Sequence, residues 1–425
     1  MSARDALARR RSRRRRARRE RSRRPRRSAR RSAALAALTS GAFALPGLAP
    51  AASAQESFGR YSAEYAYSRY SEDPLPKSKV PVGGERDRYE VDMHQMHLAG
   101  PLLDRVDLGL DVVHEKMSGA SPWYVIQGAN GEPLQVMSGA TIEEARTDAL
   151  LEATLLFDRG QASLGGGISS ENDYFAWNGS LRGERHFGEK TTTLSGGAGF
   201  SIDSIDPVDT DLFPTRPSHE QKWSTSVFGG ISQVLSREAA LQSTLTYQRE
   251  QGYLSDPYKQ VLVAGNPVPD ARPDSRNQLT WLTRLRHHVS PVHGTLQADY
   301  RFYADDWQLT SHTLEVAWDQ AIFDALHLIP SFRYYSQSQA EFYGPWFDAT
   351  GDGLHSSDYR LSPYGAIAWK IKAETRFATG SVDWRAAFAW QRYLSSGDYA
   401  LGKVSVANPG LVSFNLFSVS LTARF

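Results

Sequence analysis

The sequence predicts an all-β fold, a transmembrane antiparallel up-and-down β-barrel of about 16 strands, with 14 if one hairpin is misread. Three observations point there. Apolar and polar residues alternate with period two through most of the chain, and a strand turns such a pattern into one apolar and one polar face. Short and long breaks between the alternating runs follow one another in phase, as short inner turns and long outer loops would. The last strand, with Phe417, Val419, Leu421, Ala423 and Phe425 on one side and Ser418, Ser420, Thr422 and Arg424 on the other, stops on an aromatic carboxy-terminus.

The elements follow in order. Residues 1–31 hold 17 Arg and no Lys, and an apolar stretch with Leu35, Leu38, Phe43 and Leu45 leads to Ala52-Ser53-Ala54. A basic region, a short apolar core and a small-x-small site make a secretory signal peptide. Residues 1–54 are therefore set aside as an arginine-rich leader, and 55–425 form a single barrel domain. The leader removes 17 of the 49 basic and 2 of the 47 acidic residues, leaving 32 and 45, a formal net charge of −13. That balance argues against nucleic acid as a partner. With no Cys anywhere, disulfides, thiolate metal sites, catalytic thiols and a lipidated amino terminus are excluded. No apolar stretch of 55–425 reaches the roughly 18 residues that a membrane-spanning helix needs.

Alternating runs fall at about 61–68, 88–98, 106–115, 145–157, 161–173, 174–186, 191–204, 222–234, 238–252, 276–289, 293–305, 308–320, 326–341, 358–371, 379–395 and 411–425. Long connections lie near 73–87, 118–143, 205–220, 253–275, 342–357 and 396–410, and short ones at Gly188-Glu189, Ser236-Arg237 and Ser290-Pro291. An even strand count lets both chain ends lie on the periplasmic side. The apolar faces would then meet outer-membrane lipid and lipopolysaccharide.

Polar parity assigns Asp107, Asp111, Glu115, Arg284, Arg286, Asp299, Arg301, Arg333, Asp383 and Arg385 to the lumen. They read either as an ion-paired wall that braces the lumen or as a selectivity ring lining a channel. Ser118, Gly119, Ala120, Ser121, Pro122 and Trp123 stand where a strand meets a long loop. Turn chemistry with Trp123 in an aromatic girdle is one reading; a constriction or partner-docking loop is the other. The same pair of readings applies to Ser255, Asp256, Pro257, Tyr258 and Lys259, where Asp-Pro opens a turn. Asp348, Thr350 and Asp352, followed by Gly353, resemble the first half of a calcium loop, but the twelfth position is Tyr359. Ca²⁺ at the outer loops is the only cofactor this suggests. His287-His288 is the one adjacent His pair, and strand neighbours point to opposite faces, so it cannot share a metal. A nucleophile-elbow motif is absent.

Specific stretches resemble a known family. They are His114–Trp123, Glu171-Asn172-Asp173-Tyr174, Gly252–Lys259, Pro330-Ser331-Phe332-Arg333-Tyr334-Tyr335 and the terminal Phe425. In order and spacing they resemble the proteobacterial outer-membrane family known as domain of unknown function 3570, over nearly all of 58–425. The resemblance implies an integral outer-membrane barrel with no established activity. It also implies neighbouring genes for small lipoprotein, thioredoxin-like and flavin-transferase proteins, and so a periplasmic lipoprotein or thioredoxin-like partner. The closing strand Phe417, Val419, Leu421, Ala423, Phe425 resembles the signal that the barrel-insertion machinery reads. The expected role is passage of small solutes or service to an envelope export or redox system. A non-conducting barrel anchoring a periplasmic partner, and a lumenal enzyme, are the alternatives.

Overall fold

The computed structural model describes residues 60–138, 142–323, 325–349 and 351–425. The leader and signal-peptide assignment lies outside them. Twenty-one strands are present among the described residues. The first three are β1 (Ser62–Glu72), β2 (Glu90–Leu103) and β3 (Val106–Gly119). A small hairpin of β4 (Pro122–Gln127) and β5 (Pro133–Met137) interrupts them. The wall resumes with β6 (Ile142–Phe157), β7 (Gly160–Ser170), β8 (Tyr174–Phe187), β9 (Thr192–Ile205), β10 (Glu220–Val234) and β11 (Ala239–Gly252). A second small hairpin, β12 (Gln260–Val263) and β13 (Asn266–Pro269), precedes β14 (Ser275–Val289), β15 (Gly294–Asp305), β16 (Thr310–Phe323) and β17 (Leu326–Gln337). The short β18 (Trp346–Phe347) leads to β19 (Tyr364–Thr379), β20 (Val382–Ser396) and β21 (Phe414–Arg424).

Sixteen of these close into one antiparallel barrel, in chain order once β4, β5, β12, β13 and β18 are left out. Closure comes from β1 against β21, in register from Ser62↔Arg424 to Glu72↔Phe414. Tyr61 and Phe425 extend the ladder with two backbone hydrogen bonds of 2.9 and 3.0 Å. No edge strand of the barrel is left unpaired, which satisfies every ladder of backbone groups without water.

The period-two pattern sets which way each side chain faces. Leu151, Leu164, Leu181, Val227, Leu245, Leu314, Phe388 and Val419 are all more than 40% exposed and cover the outside. Phe157, Phe187, Phe323, Phe377 and Phe425 crown this band at the end with the short turns, also exposed, as an interfacial girdle does. At that end the chain needs tight reversals, and Gly380 supplies one with φ +60°, a conformation that costs glycine nothing.

Three sequence-derived boundaries shift. The strand expected over 326–341 stops at Gln337, and that expected over 358–371 is Tyr364–Thr379. Between them the chain leaves the wall: Tyr359–Leu361 is a 3-10 turn whose Asp358 side chain accepts from Arg360 N. The alternating residues of 338–341 and 358–363 pack against loops, and period two cannot tell a loop core from a barrel face. The third shift is the phasing of connections. Residues 171–173 and 306–309 are short links at the long-loop end.

Candidate functional site in the lumen and its roof

The mouth at the long-loop end is roofed. The connections 120–138 and 253–274 rise six wall strands apart, from near-opposite sides of the rim, and meet above the lumen. β12 pairs with β13 and, in parallel, with β18 of the 338–363 connection (Leu262↔Trp346, Val263↔Phe347). Val125 and Val261 are fully buried in this layer. Trp307, Leu309, Ala340, Phe342, Tyr343 and Leu361 form an apolar core of the roof. A second core, of Tyr70, Val91, Met93, Met117, Phe414 and Leu416 with others, fills the upper lumen beneath it.

Three of the stretches that carry the family resemblance, His114–Trp123, Glu171–Tyr174 and Gly252–Lys259, converge here. Gly119 has φ +124°, and a Cβ on it would stand 2.2 Å from Arg88 O, so glycine is required where β3 turns into the roof. Ala120 is buried with Leu75, Val80 and Met137. Ser121 and Ser138 tie the base of the β4–β5 hairpin, with Ser121 N donating to Ser138 Oγ at 2.9 Å. Pro122 O accepts from Lys259 Nζ at 3.1 Å, joining the two most specific stretches across the mouth. Trp123 sits edge-on to Phe213 at 6.4 Å. It belongs to the roof, where a girdle position was one expectation; the reason is that the hairpin folds inward over the lumen. Ser255 Oγ accepts from Arg272 N at 3.0 Å, and Asp256 Oδ1 from Tyr258 N at 3.1 Å, the turn that Asp256-Pro257 predicts. The Tyr258 hydroxyl donates to Asp173 Oδ2, and Arg216 lies 4.5 Å above the Tyr258 ring.

An ion-pair network locks these loops. Arg272 bridges Asp270 (2.6 Å) and Asp358 (2.9 Å), and Arg360 bridges Asp358 and Asp256 (3.1 Å). Burial alone would push the Asp358 carboxyl up, but Arg360, Lys259 and Arg272 outweigh it and hold the group well below the usual carboxylate range. Burial pulls the Lys259 ammonium down. Nearby, Asn408 donates to Tyr343 Oη (2.9 Å) and Ser357 O (3.1 Å), bringing in the 397–413 connection.

Below the roof the lumen is polar. Register places Asp107, Asp111 and Glu115 on the inner face of β3, opposite to the outward Leu108, Leu110 and Val112. Asp111 accepts or shares a proton with His97 Nδ1 at 2.7 Å. On the far side Arg284 and Arg286 both pair with Asp299, the former at 3.5 Å. Arg284, Asp299, Glu315 and Arg333 are direct cross-strand partners in one row around β14–β17, with Arg301 two residues above Asp299. Asp383 does not join this belt. It lies at the turn-end rim, about half exposed, paired with Arg60 at 2.6 Å. Arg385 stands beside Glu64 at 3.5 Å.

Several inward charges escaped sequence reasoning. Glu144, Arg146, Asp148 and Glu152 alternate on β6, and Lys370, Lys372, Glu374 and Arg376 on β19. The alternation of charges at every second residue was the available signal; in β19 the strand boundary hid it. Between β7 and β9 the inner face is small, with Gly165, Gly167, Ser180, Gly197 and Gly199. At the suggested calcium loop Asp348 and Asp352 are exposed, and Asp352 Oδ1 accepts from Leu354 N at 3.0 Å. Thr350 lies outside the described residues. Among the described residues no group of three or more His, Asp or Glu is placed to hold a metal ion.

A closed, 16-stranded antiparallel barrel with an apolar outer band, a charged interior and both described ends at the short-turn rim is an outer-membrane β-barrel. The chain belongs to the family described as protein of unknown function (DUF3570), whose pattern matches residues 35–408. No curated protein matches the sequence. Among solved structures, the barrel is similar to a bacterial polysaccharide outer membrane secretin at 9% identity and a TM-score of 0.45, covering 87% of this chain and 100% of that one. It is similar to CdiB from Acinetobacter baumannii at 8% identity and a TM-score of 0.46, covering 85% of this chain and 60% of that larger one. A FadL homologue from Pseudomonas aeruginosa matches at 13% identity and a TM-score of 0.35, covering 86% and 89%. These likenesses concern barrel architecture and no activity.

Proposed function

We propose that the barrel is a gated path for small polar solutes across the outer membrane, with the loop roof as its gate. The observation that carries this reading is the division of the interior. Apolar packing is concentrated under the roof, while the middle of the lumen is lined by charged side chains and by the glycines and serines of β7–β9. A barrel meant only as a brace has no need of glycines and serines in that polar wall, and 16 strands leave an aqueous interior unless something plugs it.

Planar-bilayer recordings test the reading. The intact protein should show small or intermittent conductance, and a variant with residues 260–269 replaced by a short Gly/Ser link should conduct more. Silence in both would overturn it. The braced roof itself favours a second reading, a non-conducting barrel that anchors a periplasmic lipoprotein or thioredoxin-like partner for an export or redox system. Silent recordings together with co-purification of such a partner would support that one.

A further inference from the structure

We infer that the roof is latched by protons: it stays shut while the carboxyl groups beneath the 171–173 link hold theirs, and it is released as they ionise. The inference rests on the lumen being a path, as proposed above, and names what regulates its gate. The latch is built where β3, β6, β7 and β8 meet the roof. Glu171 opens the link between β7 and β8; its side chain is fully buried, and neither carboxyl oxygen has a hydrogen bond. Glu115 on β3 is 2% exposed, and its Oε2 has no hydrogen-bond partner. Both act on Arg146 of β6, the cross-strand partner of Glu115. That guanidinium is already engaged. It donates to Asp148 Oδ1 at 2.9 Å and to Ser169 Oγ at 3.0 Å, and Glu171 Oε1 stays 3.8 Å from its Nε. One cation thus serves three carboxyl groups, those of Glu115, Asp148 and Glu171.

The other charges around the link are occupied. Toward β9 and β10, Asp203 accepts from Tyr174 at 2.8 Å and takes Lys222 at 3.0 Å. From the roof come Tyr258, bonded to Asp173, and Arg216 over the Tyr258 ring, with Asp256 acting on Asp173; Glu144 shares the inner face of β6. A carboxylate without a donor or water costs far more to bury than a neutral carboxyl group, so the shut arrangement favours the protonated form. In keeping with this, burial pushes the Glu171 carboxyl up to about 8 against the pull of Arg146, and Asp173, Asp148 and Glu115 add to the rise. Once ionised, Glu171 needs water, and water reaches it only if the link lifts. Asp173 stands two residues on and accepts from the Tyr258 hydroxyl, whose oxygen in turn accepts from Val208 N at 3.1 Å. A lifting link therefore pulls on the 253–274 and 205–219 connections together. The hydrated, open form holds the proton less tightly than the shut form, so rising pH moves the population toward open.

Two readouts on the intact protein in lipid test this. Planar-bilayer recordings follow conduction. Pulsed electron paramagnetic resonance follows the roof itself, with spin labels on Asn266→Cys at the roof tip and Thr225→Cys on the outer wall, since the chain has no Cys of its own. Between pH 4.5 and about 8 the ratio of open to shut channels should climb by about tenfold per pH unit and then level off, and the label distance should shift over the same range. Glu171→Gln copies the protonated form and should stay shut throughout, with no shift in the label distance. Tyr258→Phe cuts the tie to the roof and should leave conduction high and nearly independent of pH. Heat-modifiable gel mobility verifies that each variant folds. The same pH response in wild type and Glu171→Gln would overturn the inference, and so would conduction with a roof that pH does not move; both leave the path intact. A roof that moves with pH in wild type only, under silent recordings, would uphold the latch and refute the path.

Discussion

Arginine substitutions along the closing strand separate the two faces of the barrel. Leu421 is 42% exposed on the outside and pairs with Tyr65 and Ala386. Ser420, one residue earlier, faces inward between Ala66 and Ala387. Val419 is the midpoint of β21, which runs from Phe414 to Arg424. At about 3.3 Å per residue and a tilt of about 40°, Leu421 lies about 5 Å nearer the short-turn rim. A lipid-facing Arg costs about 2–4 kcal/mol at the bilayer midplane and about 0–1 at the interface, over a half-band of about 12 Å. Phe425 in the girdle puts Leu421 about 10 Å and Val419 about 15 Å from that interface, one on each side of the midplane, so Val419→Arg and Leu421→Arg should each cost about 2–4 kcal/mol. Ser420→Arg should stay within about 1 kcal/mol, because two alanines leave it room and the lumen solvates its charge. Urea titration of protein folded into lipid vesicles, followed by Trp fluorescence, measures all three. Equal penalties for Leu421→Arg and Ser420→Arg would refute the assignment of faces.

Four further outcomes are expected. Phe425→Ala should lower delivery to the membrane in cells while detergent-refolded protein keeps its heat-modifiable mobility; normal delivery would mean the terminal ring is not read. Asp358→Ala leaves Arg272 and Arg360 buried without their shared carboxylate, a loss of about 3–5 kcal/mol for a broken buried pair, so limited proteolysis should cut the 338–363 connection faster. The Glu171 carboxyl between β7 and β8 is pushed up to about 8, by burial against the opposing pull of Arg146, from an ordinary value of 4.5. The folded state thus keeps a proton that the unfolded chain releases. The contribution of this group to stability should be highest below pH 4.5, fall as pH rises toward 8 and then level off. Glu171→Gln should flatten that slope in thermal melts. Tags inserted at Gly265 or Gly351 should be labelled on intact cells and a tag at Arg237 should not; the reverse would invert the topology.

Much of the wall was legible because alternation is a local property. Leu108, Leu110 and Val112 against Asp107 and Asp111 declare their faces without knowledge of any neighbour. The same rule failed at 338–341 and 358–363, where apolar residues pack into the roof core around Phe342 and Leu361. The Ser118–Trp123 and Ser255–Lys259 stretches were visible as turn chemistry. That Lys259 reaches Pro122 O was not, since 137 residues separate them and no local pattern encodes the meeting.

The sequence by itself determined the architecture: strands, their two faces, the number of wall crossings and a charged interior all follow from side-chain period and turn residues. Only the tertiary structure decided what the interior charges do. Whether Asp111 and Arg301 neighbour or oppose each other depends on ring order and closure, which exist only once β1 has paired with β21. The roof was decided at the same level, because its ion pairs join loops that rise four wall strands apart on a rim that closure brings within reach.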